Sequence, residues 1–233
     1  MQLSERLKLV AGFVTEGCVV ADIGTDHGYI PIYLIKTGKI QKGLAMDIGK
    51  GPLKRAEKNI KLYGYEDRIE TRLSDGLREL KENEADSIVI AGMGGLLIVN
   101  ILENGKKVLA AAKELILSPH TEIPLVRRYL IENGYDIVRE EMVYDMGKYY
   151  TVIKAVHTDN TDIRSLYDSD EYNYIYGRLL LNEKSSVFMS FIKNERDKLL
   201  CIIENLSKSE GTDEKKQQIK KRLEYISRIG GNG

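Results

Sequence analysis

Apolar and polar positions change period twice along the chain. Leu3, Leu7, Val10, Ala11 and Val14 recur at three- and four-residue steps behind Ser4, a spacing that predicts a helix over residues 3–14 with one buried face. Short apolar runs then take over at 18–23 (CVVADI), 43–48 (GLAMDI), 69–73 (IETRL) and 87–91 (SIVIA). Stretches of about 20 residues with helical character separate them, the alternation that predicts βαβ units and a parallel sheet. Three further strands are expected at 114–117, 135–143 and 149–156, the last two joined by a short turn at 144–148. The fold class is therefore α/β: a doubly wound, seven-stranded sheet closed by an antiparallel pair.

Near residues 157–166 the chain turns polar and the strand signals stop. The expected division is a sheet domain over 1–160 and a helical domain over 161–233. Tyr167, Tyr172, Tyr174 and Tyr176 read as packing residues that cover the seam between the two. Val187, Phe188, Phe191, Ile192, Leu199, Ile202, Ile203 and Leu206 keep helical spacing through 182–207, and a break at 208–212 contains Gly211. Ile219, Leu223, Ile226 and Ile229 follow at roughly the 3.5-residue spacing of a coiled coil. The tail is thus expected to form an antiparallel hairpin of two or three helices, with the last four residues, Gly-Gly-Asn-Gly, frayed.

Composition narrows the classes. A chain of 233 residues, 42% hydrophobic, is long enough to bury a large core without staples. Cys18 and Cys201 stand far apart, which removes the sequence basis for a disulfide scaffold or a structural zinc site and suits a reducing cytoplasm. Among the three histidines, His157 reads as a solvated loop residue, and no two have metal-ligand spacing, so no metal is expected. Lys and Arg total 35 and Asp and Glu total 35. Any partner is therefore recruited by local patches and not by bulk charge. No apolar run reaches the ~18 residues needed to span a bilayer, and the start lacks a cationic leader followed by an apolar block; a soluble, unexported protein is expected.

The chemistry gathers at strand ends. The first strand leads into Asp22-Ile23-Gly24-Thr25-Asp26-His27-Gly28, with a helix expected from about Pro31. A strand, a glycine turn and a helix start form the place where doubly wound sheets bind nucleotides. A dinucleotide fingerprint uses bare amides around a pyrophosphate, whereas this loop puts Asp22 and Asp26 where phosphate would sit. Carboxylates repel phosphate and attract cations. S-adenosylmethionine carries a sulfonium and an α-ammonium and fits this loop, whereas the missing second and third glycines and the carboxylates of Asp22 and Asp26 disfavour the rival reading, an NAD-dependent oxidoreductase on a similar sheet. Asp47 and Ile48 close the second strand, 25 residues after Asp22, at the usual place for an acid that holds ribose hydroxyls. Asp75-Gly76 follows the third strand, where adenine is held by its edge, and Ala91-Gly92-Met93-Gly94-Gly95 follows the fourth. The Asn/Asp-Pro-Pro-aromatic motif of exocyclic-amine methyltransferases is absent there, which argues for a different acceptor atom.

ADIGTDHGYIP (21–31), MDIGKGPL (46–53), SDGL (74–77), IAGMGG (90–95) and LSPH (117–120) together resemble the bacterial tRNA adenine-22-N1 methyltransferase family. The resemblance extends over nearly the whole chain, including the helical tail. It departs at Gly28, where Ala is frequent, at Asp47, where Glu is common, and at His120, where a variable polar residue is expected. It implies a Rossmann-like sheet that binds S-adenosylmethionine through Asp22, Gly24, Asp26, His27, Gly28, Asp47, Ile48, Asp75, Gly76, Ala91, Gly92 and Met93. It further implies methyl transfer to N1 of adenine 22 of tRNA, with Asp26 as the carboxylate beside the acceptor and His27 and Tyr29 hydrogen bonding to the base or stacking on it.

On the substrate side, Gly94, Gly95, Pro119 and His120 are expected to border the base. Lys193 and Arg196, with Lys215, Lys216, Lys220 and Lys221 on the last helix, form the basic groups that would reach tRNA phosphates if they share a face; Lys198 and Arg222 belong to the same two clusters. Tyr149 and Tyr150 read as packing residues. A monomer acting in the cytoplasm is expected. Two other readings stay open at this level: a methyltransferase of another RNA or of a small molecule, and a non-catalytic module that dimerises through its tail.

Overall fold

A computed structural model describes residues 3–206 and 213–230. The expected break at 208–212 and most of the glycine-rich end lie outside the described residues. The chain divides into two compact units, Met1–Leu179 and Leu180–Gly233.

The first unit begins with α1 (Glu5–Phe13), whose N-cap Ser4 accepts a hydrogen bond from the Leu7 amide. The strands are β1 (Val20–Ile23), β2 (Gly43–Asp47), β3 (Ile69–Leu73), β4 (Ser87–Ala91), β5 (Glu114–Ser118), β6 (Tyr135–Asp145) and β7 (Lys148–His157). Between them run α2 (Tyr29–Lys36), α3 (Lys50–Tyr63), α4 (Gly95–Asn104), the short α5 (Lys106–Leu109) and α6 (Ile123–Glu132). The seven strands form one sheet in the order β3-β2-β1-β4-β5-β7-β6. β1 to β5 are parallel, and β7 runs antiparallel to both β5 and β6. The expected closing hairpin is present. Its turn is tighter than the sequence suggested, because Met146 and Gly147 both adopt positive φ, +48° and +83°, as a two-residue turn that matches strand twist requires.

Both faces of the sheet are covered, so its central strands are apolar throughout and not alternating. Val20, Ala45, Val89 and Ile116 pack with Val10, Phe13, Ile32 and Ile60 of the α1–α3 layer. Ala21, Ile23, Met46, Ile88, Ile90 and Leu117 pack with Ile98, Leu102, Val126 and Leu130 of the α4–α6 layer. Period-two alternation then puts Asp22 on the face of Val20, beneath α1 and α2. It is the one carboxylate in a strand that is otherwise Val, Ala and Ile.

After β7 come α7 (Asp162–Asp168), a π-helical turn (Asn173–Gly177) and α8 (Arg178–Glu183), which runs across the division. Residues 162–179 belong to the first unit because Arg127 of α6 holds them. Its buried guanidinium bonds Glu140 Oε1 at 2.7 Å and donates to the carbonyls of Tyr174, Ile175 and Tyr176 at 2.7, 2.9 and 3.2 Å. The polar change near residue 160 therefore precedes the division between the units, which falls after Leu179. Tyr167, Tyr174 and Tyr176 are buried packing residues.

In the second unit α9 (Ser186–Leu206) and α10 (Asp213–Ile229) form an antiparallel hairpin. Lys184 Nζ reaches the Ile229 carbonyl at 3.0 Å, and Arg222 pairs with Glu195. Phe188, Ile192, Ile219, Ile226 and Ile229 form its buried seam. Among the described residues no helix is long and apolar enough to cross a membrane.

Candidate active site

The parallel register aligns the C-terminal ends of β1 to β5 along one edge, the crevice where open α/β sheets bind ligands. At the end of β1 the chain reverses through Gly24 (φ +76°) and Gly28 (φ +67°). The amides of Gly24 and Thr25 both donate to the Met46 carbonyl, at 2.8 and 2.9 Å, and the Gly28 amide donates to Thr25 Oγ1 at 3.2 Å. These bonds hold the loop against β2 and leave its outer side open. The left-handed backbone at Gly24 favours glycine, and the Met93 methyl packs where a Cβ would stand.

The loop borders a pocket of about 250 Å³ lined by Asp22, Gly24, Thr25, Asp26, His27, Tyr29, Ile30 and Ala91, with Arg6 and Leu7 of α1 closing it. Asp22 is buried, and burial raises its carboxyl to about 6, opposed by a hydrogen bond from Thr25 and reinforced by the nearby Asp47 charge. A carboxylate held in this way gains from a cation brought into the pocket. Asp26, at the rim, is held by Arg55 of α3, whose Nε and Nη2 both donate to Oδ1, Nε at 3.0 Å. Its second oxygen lies 3.3 Å from His27 Nε2. The rings of His27 and Tyr29 stack at 4.8 Å and 9°, and both side chains remain partly exposed.

Not every predicted residue lines this pocket. Asp47 Oδ1 accepts the Gly49 amide at 2.6 Å, and the following Ile48 is exposed. Asp75 is exposed and pairs with Arg78 at 3.1 Å, while Gly76 turns at φ +60° against Ile101. These groups occupy the neighbouring strand ends β2 and β3 on the same edge. Met93 spans the two regions by packing on Gly24.

The loops after β4 and β5 are joined by backbone bonds: Gly92 N–H to Ser118 O at 3.1 Å, His120 N–H to Met93 O at 2.8 Å and Gly95 N–H to Thr121 O at 3.0 Å. A Cβ at Gly95 would stand 2.6 Å from the Thr121 carbonyl oxygen. This close approach explains the glycine: the start of α4 abuts the neighbouring loop. Gly94 and the buried Pro119 belong to the same junction. The His120 ring packs on Tyr150 at 5.2 Å. Burial, then the Arg6 and Lys148 charges, push its imidazole below the usual value, so the ring is neutral at pH 7.

Three participants escaped sequence reasoning: Arg6, Arg55 and Tyr150. Each belongs to an ordinary amphipathic helix or strand pattern and reaches the site only through the fold. In the second unit, Lys193, Arg196, Lys215, Lys220 and Lys221 are exposed and Lys216 half-buried. At ~100° per residue, Lys220 and Lys221 of α10 lie on the side away from the buried Ile219 and Ile226. α10 carries six basic residues against three acidic ones.

Residues 3–153 match the family described as Methyltransferase domain. Over its full length the chain is 34% identical to the Bacillus subtilis protein named tRNA (adenine(22)-N(1))-methyltransferase, covering 99% of it. The crystal structure of the B. subtilis m1A22 tRNA methyltransferase TrmK superposes with a TM-score of 0.86 at 33% identity, with 98% of each chain covered. A Streptococcus pneumoniae protein solved in complex with S-adenosyl-L-methionine superposes with a TM-score of 0.86 at 31% identity, over 98% of this chain and 99% of that one.

Proposed function

The chain belongs to the tRNA (adenine(22)-N(1))-methyltransferase family, and from that premise we propose that it transfers the methyl group of S-adenosylmethionine to N1 of adenine 22 in tRNA. The observation that carries the proposal is the pocket at the end of β1, where a glycine turn opens onto the buried carboxylate of Asp22. That donor set fits the cofactor. A cationic amino acid portion meets Asp22, and Asp47 and Asp75 stand on the next strand ends for the ribose and adenine.

When bound, S-adenosylmethionine supplies a methyl carbon activated by its sulfonium. Neutral adenine already has a lone pair at N1, so the protein's main contribution is to orient the ring. The stacked His27–Tyr29 pair offers a flat aromatic surface at the pocket rim for a base taken out of its stack. Arg55 fixes Asp26 through Oδ1 and leaves Oδ2 directed toward His27. From there it accepts a hydrogen bond from the adenine N6 amino group and stabilises the positive charge that N1-methylation creates. The basic groups of α9 and α10 contact tRNA phosphates, and that electrostatic term makes binding salt-dependent.

The protein acts in the cytoplasm, where its substrate resides, and as a monomer, since one chain carries both the pocket and a basic hairpin. Methyl transfer from labelled cofactor to unmodified tRNA, followed by nucleoside analysis, tests the reading. It expects 1-methyladenosine; N6-methyladenosine or a methylated pyrimidine would refute it.

A further inference from the structure

The β6–β7 hairpin overshoots the sheet. β7 last pairs with β5 at Leu117–Ile153, and from Val152 to Lys148 it pairs only with β6. At ~3.4 Å per residue the turn stands roughly 17 Å beyond that last pair, on the edge where the parallel strands end and the pocket opens. The hairpin is tied to the site. Asp145 Oδ2 accepts the Arg6 amide at 3.1 Å, and the Tyr150 ring packs on His120 at 5.2 Å and on the Arg6 guanidinium at 5.3 Å.

Its tip is built against local preference. A two-residue turn of this kind favours Gly, Asn or Asp at both positions, yet the first is Met146, at φ +48°. A long side chain is disfavoured in that conformation, and no packing offsets the strain, because Met146 is 90% exposed. Beside it Tyr144 is 54% exposed, and its ring meets that of Tyr149 across the ladder at 4.8 Å. The acidic groups of the hairpin end are engaged, Glu141 by Arg139 and Asp145 by the Arg6 amide, whereas Lys148 is exposed. A thioether, an open aromatic ring and a cation therefore stand together at the turn.

We propose that the hairpin tip is an RNA contact that holds the unstacked nucleotides beside the target adenine, with Tyr144 and Met146 packed on a base and Lys148 paired with a phosphate. The inference rests on the RNA substrate proposed above and adds a surface outside the pocket. N1 lies on the pairing edge of adenine, so the base leaves its stack before transfer, and its neighbours lose a stacking partner. An aromatic surface replaces that partner for any neighbouring base, since every base has a π face. A flexible methionine adapts to the same flat partner.

The test measures tRNA binding by fluorescence anisotropy, cofactor binding by calorimetry and thermal melting in the full chain and in Tyr144→Ala, Tyr144→Phe, Met146→Asn and Lys148→Gln. Tyr144→Ala should weaken tRNA binding roughly 5–100-fold, the range of one stacked base, and Tyr144→Phe, which keeps the ring, should bind as the parent does. Met146→Asn should raise the melting temperature, because asparagine suits the turn, and still weaken tRNA binding; a merely structural residue would not split the two. Lys148→Gln should reduce the slope of log K against log salt by about 0.7–0.9. Cofactor affinity should stay parental throughout. Parental tRNA affinity in both Tyr144→Ala and Met146→Asn would overturn the proposal, and so would a parental dimer that these variants dissociate, since the tip would then cover a second copy. Equal loss of cofactor and tRNA binding would show that the hairpin only supports the pocket, and would overturn it as well. A parent that binds S-adenosylmethionine but no tRNA would instead contradict the reading on which the inference rests.

Discussion

Arg55 donates twice to a single oxygen of Asp26, from Nε at 3.0 Å and from Nη2. A residue of α3 thereby sets the orientation of a carboxylate in the loop after β1. The pair is half-exposed, so its contribution to stability is expected to be below about 1 kcal/mol. Its role in orientation is larger. Arg55→Ala should lower the single-turnover rate of methyl transfer roughly tenfold, with cofactor affinity changed by less than about threefold. Asp26→Asn should slow the same step more than it changes cofactor affinity, and parental rates in both variants would remove the pair from the mechanism.

The buried carboxyl of Asp22 opposes stability at neutral pH. It titrates near 3.8 in the unfolded chain and at about 6 in the folded protein. Between those values the folded state holds more protons, so stability falls as pH rises through the window, and about 3 kcal/mol is lost above it. Asp22→Asn should therefore raise the melting temperature of the cofactor-free protein by several degrees at pH 7.5 and much less at pH 4. The same variant should bind S-adenosylmethionine more weakly, and parental cofactor affinity should itself increase as pH rises through about 6. A melting difference independent of pH would contradict the assignment.

Much of this site was legible in the sequence, and the part that was not has a physical reason. Asp22, Gly24, Asp26, His27 and Ala91 are close neighbours of strand ends, and parallel register brings strand ends together whatever the tertiary detail. Strand positions agreed for the same reason, since fully buried parallel strands read as unbroken apolar runs. Arg6 and Arg55 lie on helices whose charged positions look like any solvated face. Only the packing of α1 and α3 on the sheet reveals that these two point at the loop. Tyr150 looked like a strand packing residue, but β7 extends past β5 and brings it against His120 and Arg6. The clustered tyrosines after Asp162 gave no hint that Arg127 anchors that segment, because an arginine buried at long range has no local signature.

Two glycines separate packing from conformation. Gly95→Ala places a Cβ against the Thr121 and Glu122 carbonyl oxygens, at 2.6 and 2.7 Å, and should cost roughly 2 kcal/mol or more by overpacking. Gly12, within α1, has open space where a Cβ would stand, with no neighbouring side chain within 4 Å, so Gly12→Ala should stabilise the protein by about 0.5–1 kcal/mol. Denaturant titration of both variants reads the contrast, and similar midpoints would show that the α4 junction yields.

Charge reversal at Lys220 and Lys221, both exposed on α10, tests the tail. Every phosphate that is no longer neutralised should reduce the slope of log K against log salt by about 0.7–0.9. Weaker tRNA binding with an unchanged slope would mean that these lysines act other than by pairing with phosphate. Parental affinity would make them part of a solvated face.

The most direct test of the central claim uses two transcripts of one tRNA that differ only at position 22, adenine in one and guanine in the other. Incubated with the protein and labelled S-adenosylmethionine, the first should gain one methyl group, recovered as 1-methyladenosine, and the second should gain none. Equal labelling of both transcripts, or labelling recovered at another nucleotide, would contradict the account.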